Sequence, residues 1–174
     1  MNPATAPVCP TYIRVGPEDF DVRAEYQALC DQGHSGAVVT FSGLVRDLEK
    51  GSTVALLELQ HYPGMTERVL HEIAATAIAR WSLGGVRIIH RVGRLQPGEQ
   101  IVFVGVASRH RAAAFQACEY LMDCLKTQAP FWKKIRTADG GARWVDFKES
   151  DADAARRWLK GDVPQPPATS DEGP

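Results

Sequence analysis

The sequence predicts an α+β domain: a mostly antiparallel sheet packed by helices, with a hairpin-rich subdomain near its end. Three observations predict it. Short apolar runs at 36–41, 54–60, 86–90 and 101–107 are bounded by glycine, proline or polar loops, as strands are. Between them, Val69, Leu70, Ile73, Ala77 and Trp81, and then Phe115, Cys118, Leu121, Met122 and Leu125, recur at the three- and four-residue spacing of a helix face. Finally, two aromatic-containing runs, 131–136 and 143–147, flank Asp139-Gly140-Gly141, a turn that closes a hairpin.

In chain order, 12–15 is expected to be a short strand. Residues 21–29 form a helix with Val22, Tyr26 and Leu29 on one side. The run 36–41 is a strand, 47–53 a polar loop, and 54–60 a strand that pairs with its predecessor as a hairpin. Pro63-Gly64 breaks the chain, Thr66 is the expected N-cap of the next helix, and Gly84-Gly85 stops it. After the 86–90 strand, Gln96-Pro97-Gly98-Glu99 turns the chain into 101–107, whose apolar character marks a central strand. The helix after Arg111 ends before Ala129, because Pro130 disfavours helical geometry at the residue preceding it. A last helix spans 151–160, with Gly161 as its stop. The domain is expected to cover 11–161, between a flexible N-terminus (1–10) and a disordered Pro-rich tail (162–174).

A net charge of -1 argues against a general nucleic-acid binder, which carries a basic domain. No apolar run spans a bilayer, and 1–7 lacks the charged and apolar regions of a signal peptide, so a cytoplasmic location is expected. Cys9, Cys30, Cys118 and Cys124 form no Cys-x-x-Cys pair and have no histidines at zinc spacing. They point to a reducing compartment and no structural metal, and the sequence offers no site for a metal or redox cofactor. Trp81, Trp132, Trp144 and Trp158 are expected as core or interface anchors, and His61 as a structural hydrogen-bonder.

Charge is concentrated locally. From Arg109 to Arg136 there are six Lys or Arg against Glu119 and Asp123, an excess that suits either a solvated basic face or a pocket for an anion. His110 and Arg111 open a helix, where free N–H groups favour anions and a bare cation is disfavoured. Lys126 closes that helix, where the dipole alone accounts for a cation. Lys133 lies among aromatics, and by position alone it belongs on the solvent face of the hairpin. Arg46 ends a strand beside a loop; its planar fork suits phosphate, but from the local sequence a surface pair with Asp47 or Glu49 is the simpler account.

The ordered set of motifs resembles the large subunit of molybdopterin synthase. It comprises Gly36-Ala37-Val38-Val39-Thr40-Phe41-Ser42-Gly43 with Val45-Arg46, then His61-Tyr62-Pro63-Gly64-Met65, then His90-Arg91-Val92-Gly93. Ser108 with His110-Arg111, Leu125-Lys126 and Pro130-Phe131-Trp132-Lys133 complete it. The resemblance implies an α/β-hammerhead fold and a sulfurtransferase. Such an enzyme converts cyclic pyranopterin monophosphate to molybdopterin, taking sulfur from the C-terminal thiocarboxylate of a small ubiquitin-like subunit ending in Gly-Gly. It further implies a homodimer core within a heterotetramer, and Arg46, His110, Arg111, Lys126 and Lys133 as the substrate-binding set. Lys126, Lys133 and His110 would be catalytic. Leu44, where the family often has lysine, and Arg109, where a small residue is common, depart from the pattern. Two other functions fit a basic pocket: a non-catalytic module binding a ubiquitin-like partner, and a cyclic phosphoesterase using His110 and Arg111.

Overall fold

The computed structural model describes residues 9–33, 35–49, 51–145 and 149–158. The expectations for the first eight residues, for Phe147 as a strand end, for Gly161 as a helix stop and for the Pro-rich tail lie outside them.

Strands β1 (Thr11–Gly16), β2 (Ala37–Leu44), β5 (Gly85–Arg91) and β7 (Gln100–Ser108) form one sheet in the order β1-β5-β7-β2. Only the β1–β5 pair is parallel; β5–β7 and β7–β2 are antiparallel. The expected central strand is β7, buried from Val102 to Ser108. Its alternation assigns each side chain a layer. Val102, Val104 and Val106 join Val86 and Ile88 beneath helices α2 (Met65–Trp81) and α3 (Arg111–Thr127). Phe103 and Ala107 face the other way, packing with Ile89, Phe20 and Leu29 of helix α1 (Val22–Cys30). Gly105 is required there, because a Cβ would run into Leu29 and Phe103.

The second sheet is built on β4 (Ser52–His61). It pairs with β3 (Leu48–Glu49), β6 (Gly93–Leu95) and β8 (Phe131–Thr137), and β8 pairs with β9 (Ala142–Trp144). Thus 36–41 and 54–60 are both strands but not a hairpin. Among the described residues β2 pairs only with β7, and after an irregularity at Gly43/Leu44 the chain leaves the first sheet. Val45 is pinned by Val45 N–H to the Glu99 carbonyl and by Gly98 N–H to the Val45 carbonyl. The polar loop 47–53 instead contains the tight β3–β4 hairpin, with Gly51 at φ 80.

Helix boundaries also differ from expectation, at both ends of α2 and at α4, which begins at Glu149 and ends at Arg156. Gly64, not Thr66, is the N-cap of α2; Glu67 accepts the Gly64 N–H at 2.6 Å. Thr66 is buried, with its hydroxyl accepting from the Tyr62 N–H and donating to the Pro130 carbonyl. At the other end Ser82, at φ 49, takes the left-handed cap position before either glycine. Trp81 and Trp158 are core residues, whereas Trp132 and Trp144 are about half exposed. Helix α4 (Glu149–Arg156) lies against α3.

Candidate functional site

The register of β8 against β4 decides what Lys133 does. Lys133 stands opposite Leu59, Ile135 opposite Leu57, and Phe131 opposite His61. Directly opposed residues share a face, so Phe131, Lys133 and Ile135 point to the apolar side, while Trp132, Lys134 and Arg136 take the outer side. Lys133 is therefore not a solvent-face lysine. Its stem runs beside buried Leu59 and Ile135, leaving the ammonium as the polar end of an apolar wall.

Arg46 meets the same place from the other sheet. A shallow, open depression is lined by Val45, Arg46, Val54, Leu57, Lys133 and Ile135. Arg46 and Lys133 thus flank a floor of four buried aliphatic side chains, Val45, Val54, Leu57 and Ile135. Cations at the rim of an apolar floor suit a flat organic molecule bearing an anion. The floor residues went unremarked in the sequence. Their signal was the period-two pattern Phe131-Lys133-Ile135, which places a lysine on a buried face.

The other three residues divide by topology. β7 runs from Gln100 to Ser108, and α3 returns, so Lys126 lies toward the end where β7 begins. That is the end of Arg46, because Leu44 pairs with Gln100. His110 and Arg111 lie at the opposite end, beside the Ala37–Ser108 pair. Two rulers measure the gap. Helix α3 rises about 22 Å from Arg111 to Lys126. Strand β2 extends about 23 Å from Ala37 to Leu44. In one chain the set splits into Arg46, Lys126 and Lys133 at one end and His110 with Arg111 at the other.

His110 is the N-cap of α3, but its side chain does not cap; its backbone N–H donates to Ser108 Oγ at 3.4 Å. The first turn contains no acid, so His110 and Arg111 are exposed beside uncompensated helix N–H groups. Lys126, about half exposed, forms an ion pair with Asp151 of α4 at 3.3 Å.

Phe131 is held by a residue the sequence did not single out for a role. The His90 ring stacks on it at 3.7 Å with planes 15° apart, joining the two sheets two residues before Lys133. His90 Nδ1 lies 2.9 Å from the Arg91 carbonyl, which can only accept, so Nδ1 carries the proton. Burial above all, with a smaller contribution from nearby His61, lowers the His90 pKa from 6.5 to about 4. Because the folded pKa is depressed, His90 supports stability fully above the unfolded value of 6.5. That support is lost as pH falls from 6.5 to about 4, with a total of at most about 3 kcal/mol. His90→Phe keeps the stack without titrating. Wild-type stability minus variant stability should therefore decline between pH 7 and pH 4 in urea titrations; a difference independent of pH would refute the assignment.

Buried Cys118 and Cys124 are poor nucleophiles: burial pushes the Cys118 thiol to about 12 and also raises Cys124. Among the described residues, no group of three or more His, Cys, Asp or Glu is arranged to hold a metal. Nor is any helix there long and apolar enough to cross a membrane.

Residues 15–128 match the family model for MoaE protein. The chain belongs to the MoaE family. The molybdopterin synthase catalytic subunit of Escherichia coli K12 is 54% identical over 148 residues, covering 85% of this chain and 98% of that one. The MoaE structure from Burkholderia ambifaria superposes with a TM-score of 0.73 at 50% identity, covering 86% of this chain and 98% of that one. A Helicobacter pylori complex of subunits 1 and 2 of molybdopterin-converting factor shares the fold, with a TM-score of 0.61 at 20% identity over 80% of this chain and 90% of that one. MoaE membership accounts for the mixed fold of two mostly antiparallel sheets, and the match spans Arg46, His110, Arg111 and Lys126.

Proposed function

We propose that this MoaE chain is the catalytic subunit of a molybdopterin synthase. It installs two sulfurs as a dithiolene on cyclic pyranopterin monophosphate. Each sulfur comes from the C-terminal thiocarboxylate of a small ubiquitin-like subunit, and the reaction takes place in the cytoplasm. The folded unit carrying this activity is 11–161. The observation that supports this reading best is the depression where Arg46 and Lys133 flank an apolar floor, at the end of the fold that also carries Lys126.

The roles follow from charge and place. Arg46 binds the ring phosphate through its fork. Lys126 faces the incoming thiocarboxylate and stabilises the oxyanion formed on its carbonyl, or transiently accepts the acyl group. Lys133 supports that charge or protonates the leaving oxygen. Once sulfur is bonded to the pterin, the acyl–sulfur bond is cleaved either by water directly or by the Lys126 amine, whose amide water then hydrolyses, leaving a thiolate on the product and a carboxylate on the donor. His110 moves protons as the cyclic phosphate opens, and Arg111 binds that phosphate. Cations about 20 Å apart cannot serve one small molecule. His110 and Arg111 therefore join Arg46, Lys126 and Lys133 only when a second copy supplies them, within a homodimer core that binds a small subunit at each end.

The test is incubation with cyclic pyranopterin monophosphate and a thiocarboxylated ubiquitin-like protein. Mass spectrometry should find two sulfurs added to the pterin and the donor returned as carboxylate. Binding of the donor without product would favour a docking module. Phosphate chemistry without any donor would favour a phosphoesterase. In calorimetry, Arg46→Ala should weaken precursor binding about ten- to a hundredfold, the worth of one charge-assisted hydrogen bond. Unchanged affinity would remove Arg46 from the phosphate site.

A further inference from the structure

We infer that Asp151 is a positioning residue for Lys126, and that α4 exists in part to hold its carboxylate there; this rests on the function proposed above. Helix α3 presents Glu119, Asp123 and Lys126 at spacings of four and three, one stripe along a helix. The segment from α4 to Trp158 matches that stripe charge for charge. Arg157 pairs with Glu119 at 2.6 Å and with Asp123 at 2.8 Å. The Trp158 indole N–H donates to Asp123 at 2.7 Å. Asp151 then meets Lys126 at 3.3 Å.

The contacts differ in kind. Trp158 is buried, edge-on to Trp81 and Tyr120, and Arg80 donates to its carbonyl. This anchor fixes the end of α4 without help from Lys126. The Asp151 carboxylate, with its side chain only 25% exposed, is therefore presented to the ammonium by a helix already in place. Among the described acids of α4, Asp153 is engaged within the helix by Arg156, and Glu149 is exposed. Asp151 is the one that crosses to α3.

What Lys126 gains is direction. A half-exposed lysine on a four-carbon stem samples many rotamers, and ordering it carries an entropy cost. Pairing with a carboxylate on a fixed helix pays part of that cost before substrate arrives. One ammonium proton is taken by Asp151, leaving two to meet a thiocarboxylate or the oxyanion formed from it.

The experiment compares wild type, Asp151→Asn and Asp151→Glu in the sulfur-transfer assay, with reductive methylation of lysines followed by mass spectrometry. Asp151→Asn should lower kcat about ten- to a hundredfold, the scale of a misplaced catalytic group, with KM for the pterin unchanged. Lys126 should be methylated faster in that variant while other lysines keep their rates. Asp151→Glu should restore most of kcat and slow the methylation again. Arg157→Ala, which loosens the anchor but keeps the carboxylate, should change both readouts in the same direction to a smaller extent. Wild-type kcat in Asp151→Asn overturns the inference. So does a lower kcat with Lys126 methylation unchanged, which places the effect elsewhere. If wild type itself makes no product, the functional reading has failed, and the methylation comparison still tests whether Asp151 holds Lys126.

Discussion

Lys126→Ala should lower product formation about a hundred- to a thousandfold, the cost of removing one group aimed at a developing oxyanion. The loss should fall on turnover rather than on folding. Lys126 lies in the last turn of α3, where the helix dipole makes a cation worth about 0.3–1 kcal/mol. Its pair with Asp151 is half exposed, a class worth about 0–1 kcal/mol. Thermal unfolding should therefore change by a few degrees at most, while single-turnover sulfur transfer collapses. Lys133→Ala should also impair turnover, with a smaller effect. Its stem covers part of the wall beside Leu59 and Ile135, so that variant should lose some stability as well. Near-wild-type turnover by Lys126→Ala would remove it from the mechanism.

The elements legible in the sequence were those whose signal is local. The stripe from Cys118 to Leu125, the stop imposed by Pro130 and the turn at Asp139-Gly140-Gly141 each act within a few residues and have their place in the fold, whereas Phe115, expected on that stripe, is exposed. Pairing between distant strands was not legible. The runs 36–41 and 54–60 look like neighbours because they are adjacent in sequence. What separates them is the exit from the first sheet at Gly43/Leu44 and the attachment of Val45 to Gly98 and Glu99, more than fifty residues on. Thr66 looks like a cap because capping chemistry is local, but its hydroxyl is used by Tyr62 and by Pro130 across the fold.

The candidate site divides the same way. Five basic or imidazole side chains stood out by charge, but their grouping did not. The side of β8 that Lys133 occupies depends on its register with β4, and Arg46 reaches that depression only because β2 hands the chain to the second sheet. Asp151 was invisible for a stronger reason: its meaning comes from the packing of α4 on α3 through Trp158. The separation of His110 from Lys126 was available from helix rise alone, and it bears directly on how a working site is assembled.

Two impaired variants should rescue each other. Arg111→Ala removes a cation at one end of α3, and Lys133→Ala removes one at the other end of the fold. If one pocket draws on a single chain, mixing the two proteins gives only broken pockets. If each pocket takes Arg46, Lys126 and Lys133 from one copy and His110 with Arg111 from another, a mixed dimer holds one intact pocket and one doubly broken pocket. Random exchange puts about half the chains in mixed dimers, so the mixture should recover about a quarter of the wild-type rate. The measurement is sulfur transfer after co-refolding or co-expression at equal amounts, against each variant alone. Lys126→Ala mixed with Lys133→Ala provides the control, because both changes fall on the same end and no mixed dimer regains a whole pocket. Recovery in the first mixture and none in the second requires sites built from two chains. No recovery in either, with mixed dimers confirmed by mass, would mean that each pocket is built from a single chain and would overturn the shared site.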